Sequence, residues 1–232
     1  MSIADRVYVV RASIAAACEA CGRDPEEVEL LPVSKRQPLP AIREALASGL
    51  CTLGENRVQE LDEKAAEFAG SGASWHLIGS LQTNKVNQLL RIPDLALLHS
   101  MDRVKLADAL QFALARESRK LQVLIQVNAT GEGSKHGVAV GEASALLKHL
   151  QDGCPDLEVV GLMAMGPLHS DSTRVFREVA RLREDLRQRS GLHLNVLSMG
   201  MTGDLVEAIS AGSTMVRVGT AVFGPRPEPN RS

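Results

Sequence analysis

The sequence predicts an α/β fold: a single closed barrel of eight parallel strands, (β/α)8, with one extra helix in front. Three observations predict it. Short apolar runs alternate with amphipathic segments from end to end, and eight such runs are found. The runs are mostly continuous rather than alternating, which is how strands buried on both faces read. No Pro/Gly/Ser-rich linker or compositional shift divides the 232 residues. An open doubly wound sheet is the rival, and it usually stops at about five to seven strands.

The elements follow in order. A helix is predicted over 3–21, where Ile3, Val7, Val10 and Ile14 recur at helical spacing and Cys18 and Cys21 prolong the stripe into the core. Strands are predicted at 29–34, 51–54, 75–79, 95–99, 121–128, 157–165, 193–198 and 215–218. Between them lie helical patterns such as Val58, Leu61, Ala65 and Phe68, or Val175, Val179, Leu182 and Leu186. Asp171 or Ser172 would cap the second of these, and Gly191 stands past its basic end, where a left-handed stop is expected. Pro32 lacks an N–H for the ladder, so a bulge is expected in the first strand and barrel closure is weakest beside it. The whole chain, 1–232, reads as one domain, with the proline-broken stretch 225–232 expected to fray.

Composition excludes several classes of function. Hydrophobic residues make up 44% and charged residues 23%, which suits a soluble globule with a sizeable core. A net charge of −2 gives no field that favours nucleic acid or an anionic membrane. Aromatics at 3% leave too few platforms for stacking single-stranded bases. The early apolar stretch 14–18 is short, and Asp5, Arg6 and Arg11 interrupt what precedes it, unlike a signal peptide. No run approaches the roughly 20 apolar residues that span a bilayer. A cytoplasmic protein with reduced thiols is therefore expected. Cys18 and Cys21 form a C-x-x-C without a second pair, and neither Cys51 nor Cys154 suggests a disulfide, so no structural metal is expected.

In such a barrel the carboxyl ends of the strands build the site. They carry Lys35, Gly54-Glu55-Asn56, Gly79-Ser80, Ser100, Asn128, Met165-Gly166, Ser198-Met199-Gly200 and Gly219-Thr220. Small and hydroxyl residues after the last two strands suit a phosphate, and Met201-Thr202-Gly203-Asp204 fits a helix start beside it. A lysine past a strand is ordinarily a solvated charge. Lys35, however, ends the first strand, which lies beside the eighth in a closed barrel and hence near the phosphate loops. Arg217 sits within a strand pattern, where an inward arginine is costly without an acceptor. A pyridine nitrogen would suit it. Arginine gives up no proton, so that nitrogen would stay unprotonated and the ring would be a poor electron sink. An amine and a phosphate cradle together point to pyridoxal 5'-phosphate held as a lysine Schiff base.

Six runs carry a family resemblance. They are Leu30-Leu31-Pro32-Val33-Ser34-Lys35, Gly54-Glu55-Asn56-Arg57-Val58-Gln59-Glu60, and Trp75-His76-Leu77-Ile78-Gly79-Ser80-Leu81-Gln82-Thr83-Asn84-Lys85. The others are Gly161-Leu162-Met163-Ala164-Met165, Ser198-Met199-Gly200-Met201-Thr202 and Gly212-Ser213-Thr214-Met215-Val216-Arg217-Val218-Gly219-Thr220. In order and over nearly the whole chain, they resemble the pyridoxal phosphate homeostasis protein family. The resemblance implies one TIM-type barrel similar to the amino-terminal domain of alanine racemase, without that enzyme's second domain. It also implies a cytoplasmic cofactor carrier with no established turnover. By position, Lys35 would form the Schiff base, while Ser198, Gly200, Thr202, Gly219 and Thr220 would surround the phosphate. Arg217 would face the pyridine nitrogen and Asn56 would lie near the ring. Three departures stand out: Thr202 replaces a serine, Arg57 a tyrosine, and Gly133 a commonly acidic residue.

The leading expectation is thus a carrier or buffer of pyridoxal phosphate, whose partners would be apo-enzymes that use it. The chain is expected to be monomeric. The alternative is an amino-acid racemase or related enzyme, which needs a second acid/base group opposite Lys35. His136 and His169 are the loop histidines that would supply one. A metal-dependent hydrolase is disfavoured, because His76, His99, His136 and His169 read as dispersed and strand-end carboxylates are nearly limited to Glu55.

Overall fold

The structure, a computed structural model, describes residues 1–131, 136–167 and 171–225. The strands are β1 (Glu29–Pro32), β2 (Thr52–Glu55), β3 (Ser74–Leu77), β4 (Leu95–Met101), β5 (Leu121–Asn128), the two-residue β6 (Val138–Ala139), β7 (Leu157–Ala164), β8 (Val196–Ser198) and β9 (Met215–Val218). The helices are α1 (Ile3–Ala20), α2 (Leu39–Ala47), α3 (Val58–Glu67), α4 (Val86–Leu90), α5 (Val104–Glu117), α6 (Ala143–Gly153), α7 (Thr173–Ser190), α8 (Leu205–Ser210) and α9 (Thr220–Phe223). All pairings are parallel, in the order β1-β9-β8-β7-β5-β4-β3-β2, with β6 beside the end of β5. A parallel bridge between Val33 and Gly54 joins the two ends of this path. The expected barrel of eight strands with a leading helix is what forms.

Pro32 causes no bulge: its register with Val218 continues that of Glu29, Leu30 and Leu31 without a shift. Alternation explains why. The N–H groups of Glu29 and Val33 donate toward β9, at 2.9 Å each, whereas Ser34 donates toward β2. Pro32 shares the parity of Ser34, so its missing donor falls on the β2 side, where a single bridge joins the strands. The seventh barrel strand, β8, begins at Val196 rather than 193, because His193 to Asn195 lie in the loop that follows Gly191. Gly191 takes the expected left-handed stop (φ 71°). The cap of α7 comes from Asp171, whose Oδ1 accepts from Thr173 N at 2.8 Å.

Helix α1 starts in a capping box, with Ser2 Oγ accepting from Asp5 N and Asp5 Oδ2 accepting from Ser2 N. Its buried stripe of Ile3, Val7, Val10, Ile14, Ala17 and Cys18 packs against α2, α8 and α9. Cys21 breaks that stripe: it is exposed, and its thiol donates to Ala17 O at 3.2 Å. Arg23 then ties the end of α1 to α8 through Ile209 O and Ser213 O, both at 2.8 Å. No helix among the described residues is long and apolar enough to cross a membrane.

Strand parity sorts the core into two layers. Trp75, Leu77 and Leu98 face the helices in the large outer cluster. Leu97, Leu124 and Met163 pack inside the barrel with Val160, Met165 and Val196 around them. Gly161 on β7 sets how closely β8 approaches, since a Cβ there would lie 1.7 Å from Val196 O. Gly161→Ala should therefore push β8 outward and cost about 1–3 kcal/mol of stability, read as a lower urea midpoint at unchanged m.

Candidate functional site

A cavity of about 380 Å³ opens at the carboxyl ends of the strands. Its lining includes Lys35 after β1, Asn56 after β2, Thr202 and Gly203 after β8, and Arg217, Gly219 and Thr220 on and after β9. Lys35, Asn56, Thr202, Arg217, Gly219 and Thr220 thus share one hollow, although the chain separates Lys35 and Thr220 by most of its length. Ser198 and Gly200 do not line it. Parity points Ser198 inside the barrel one layer above Val196, fully buried beneath Arg217. Gly200 sits in a left-handed turn (φ 89°), and a Cβ there would meet Ala208 Cβ at 2.5 Å. This glycine lets the loop close over α8.

A buried network holds the segment that carries Lys35. Lys64 on α3 donates to Ser34 O at 2.7 Å, to Glu55 Oε1 at 2.5 Å and to Glu60 Oε1 at 2.8 Å. Ser34 Oγ donates to the same Glu55 oxygen at 2.7 Å. Arg36 N donates to Glu60 at 2.5 Å, in a left-handed conformation with φ 60°. Both residues flanking Lys35 are therefore tied to one ion cluster. Burial pushes the Glu55 carboxyl up, and Lys64 and Ser34 offset that only in part. Glu55 Oε2 also accepts from Asn56 N at 3.2 Å. Gly79 allows the other side of Asn56 to be approached, since a Cβ there would lie 2.1 Å from Asn56 O.

Arg217 is 5% exposed and donates to Ser198 O (2.7 Å), Ser198 Oγ (2.8 Å) and Ala164 O (3.0 Å). No ion pair holds it among the described residues. Burial draws it down to about 10, with Asp204 pulling the other way, so it stays charged at neutral pH. Ser198 Oγ lies 3.2 Å from His99 Nδ1, and His99 Nε2 lies 3.1 Å from His76 Nδ1. The sequence reading of dispersed histidines is corrected here. Adjacent strands β3 and β4 bring His76 and His99 into one interior layer, with ring centroids 5.1 Å apart. Nothing in their spacing of 23 residues announces this.

Burial lowers His76 to about 4 and His99 well below its ordinary value. Unfolded histidine titrates near 6.5. Below pH 6.5, then, the unfolded chain binds protons that the folded chain refuses. Stability is fullest above that pH and drains as pH falls toward 4, by up to about 1.4 kcal/mol per pH unit for each histidine. Urea unfolding between pH 7 and 4.5 should show this slope, and His76→Asn should lessen it by the share of one histidine.

Gln126 also lines the cavity. Its Nε2 donates to His136 O at 3.0 Å, while its buried Oε1 has no hydrogen-bond partner among the described residues. His136 is exposed at the rim; His169, Lys135 and Gly133 lie outside the described residues. On the barrel's outer face, Asp108, His149 and Cys154 place ligand-type atoms within 4.8 Å of one another, remote from this cavity, and His149 pairs with Asp108 at 2.7 Å.

Comparison with known proteins identifies relatives over nearly the whole chain. Residues 12–227 match the family model described as alanine racemase, N-terminal domain. The chain is 42% identical to the pyridoxal phosphate homeostasis protein of Pseudomonas aeruginosa over 225 residues, covering 97% of this chain and 96% of that one. It is 41% identical to that of Escherichia coli strain K12 over 230 residues, covering 97% of each. Among solved structures, PipY of Synechococcus elongatus with PLP bound superposes with a TM-score of 0.84 at 32% identity, over 96% of this chain and all of that one. An alanine racemase of Clostridium difficile, 12% identical, shares the fold with a TM-score of 0.75 over 97% of this chain and 58% of its own. With a barrel, a strand-end lysine and relatives that agree over nearly their full length, the chain belongs to the pyridoxal phosphate homeostasis protein family.

Proposed function

We propose that this chain binds pyridoxal 5'-phosphate reversibly at the mouth of its barrel and buffers or delivers it, as one cytoplasmic domain spanning 1–232. The observation that carries this reading is the convergence of Lys35, Arg217, Thr202 and Thr220 on one cavity. The relative PipY, solved with PLP bound, supports it. The lining fits such a group: an amine, a buried guanidinium, two hydroxyls and the unpartnered Gln126 Oε1 surround a hollow with apolar walls at Val33, Ile78 and Met163.

When bound, pyridoxal phosphate supplies an aldehyde that condenses with a primary amine, together with a phosphate anion and a pyridine ring. Lys35 is the amine. Thr202, Thr220 and the main chain at Gly219 would hold the phosphate. Arg217 would offer N–H to the ring nitrogen, which would favour its unprotonated form, and Asn56 would lie near the ring. Ser198 and Gly200 act from behind, the first on Arg217 and the second on the loop. Lys35 would be the amine that an incoming amine displaces on release, which would suit delivery to apo-enzymes by a monomer.

This arrangement favours holding over turnover. A donor-only arginine at the ring nitrogen weakens electron withdrawal by the ring, and racemisation would require a second acid/base group opposite Lys35. The test is direct. The purified chain, supplemented with pyridoxal phosphate, should turn yellow and gain one mass adduct on borohydride reduction. Alanine in deuterated water should exchange its α-proton no faster than with free cofactor. A colourless protein without an adduct would refute binding; rapid exchange would refute the carrier role.

A further inference from the structure

We propose that His99 and His76, acting through Ser198, are positioning residues for Arg217: they form a one-directional chain of hydrogen bonds that fixes how its N–H groups face the cavity. The direction follows from donor counting. A guanidinium only donates, so Ser198 Oγ accepts from Arg217 Nη1 at 2.8 Å. The other neighbour of that oxygen is His99 Nδ1 at 3.2 Å, in a site with no exposure to water. The hydroxyl proton therefore points to Nδ1, because a second N–H aimed at the oxygen would leave the hydroxyl without an acceptor. His99 then carries its proton on Nε2 and donates to His76 Nδ1 at 3.1 Å, which places the proton of His76 on Nε2.

Every link has one assignment, and both rings are neutral in it. The chain matters because Arg217 lacks an ion-pair partner among the described residues. Among the described residues its hydrogen bonds go to neutral oxygens, two main-chain carbonyls and this hydroxyl, while the charge of Asp204 acts without a direct contact. A hydroxyl that donates onward to His99 has its lone pairs fully turned to the guanidinium, and hydrogen bonds in series polarise one another. The apolar layer of Leu97, Leu124 and Met163 closes the interior below. Reversing the chain, by a proton on His76 Nδ1, would turn an N–H toward Ser198 and remove the partner of its O–H.

Resting on the cofactor reading, the inference extends to the ligand. The anchored guanidinium sets the state of the ring nitrogen, and so the position of the visible band and the strength of binding. His99→Asn, whose carboxamide oxygen can accept from Ser198, should keep both properties near wild type. His99→Leu should weaken binding of pyridoxal phosphate about tenfold, the loss of roughly one buried hydrogen bond, and displace the visible band.

The experiment joins two measurements on the full chain. Nitrogen-15 NMR of the histidine rings at pH 7, without cofactor, should show His99 and His76 neutral with unprotonated Nδ1, and Ser198→Ala should mix the tautomers of His99. Absorption titration with pyridoxal phosphate should rank wild type and His99→Asn together above His99→Leu. A charged ring, an Nδ1-protonated His99, or a His99→Leu protein with wild-type band and affinity would overturn the proposal. If His99→Leu fails to fold, the wild-type NMR decides alone. If wild type takes up no pyridoxal phosphate, the functional reading fails while the NMR still judges the chain of hydrogen bonds.

Discussion

Lys35→Ala should fold as the parent does and retain no label after incubation with pyridoxal phosphate and borohydride, a complete loss against one adduct per chain in wild type. Lys35 contributes a half-buried side chain on a loop, so truncation leaves no cavity in the core. Residual binding should persist weakly, because Arg217 and the hydroxyls of Thr202 and Thr220 still line the hollow. It should be rapidly reversible, read by loss of cofactor on gel filtration. Peptide mapping gives the decisive control. An adduct on Lys64 or Lys85 in place of Lys35 would show that the wrong amine has been assigned.

The second large effect is on stability. Lys64→Met should destabilise the fold by about 3–5 kcal/mol, because it strands Glu55, which has no exposed surface, without its cation. The carboxyl of Glu55, already raised by burial, would rise further and take up a proton, and the carbonyl of Ser34 would lose its donor. Glu55→Gln combined with Lys64→Met should recover a large part of the loss, since a neutral amide asks less of its surroundings. Denaturant midpoints for the two single variants and the pair give the coupling. Equal destabilisation by the pair and by the sum of the singles would show that the two side chains do not act together. Because Ser34 and Arg36 hang from this cluster, the single variants should also slow formation of the Lys35 adduct.

The barrel was legible because its strands are buried on both faces and so read as unbroken apolar runs, with amphipathic helices between them. Boundaries were less so. His193 to Asn195 read as the start of the apolar run through Val196 and Leu197, yet the chain needs them to span from Gly191 to the sheet. At the site, Lys35 and Arg217 were visible because each breaks an apolar pattern at a strand end or within a strand. Lys64 was not: a lysine among Glu60, Glu63 and Glu67 reads as a solvated helix face, and only the fold turns it inward. Ser198 was read as cavity lining because sequence places it at a strand end without fixing its depth. His76 and His99 escaped for a related reason. Contact between neighbouring strands depends on register, and register is a property of the sheet rather than of either segment.

The seam between β1 and β2 has a mechanical consequence. The best-sewn seam, between β5 and β7, has seven paired positions. Here, among the described residues, one bridge and the Ser34 N–H to Gly54 O bond do the stitching, and the Glu55–Lys64 cluster clasps the join from the side. The join is thinly sewn, and Lys35 stands on its lip. Cofactor that binds Lys35 on one side of the lip and Asn56 on the other would button it shut. Amide hydrogens of Ser34 and Asn56 should then exchange with deuterium more slowly in the loaded protein, while those of β5 keep their pace.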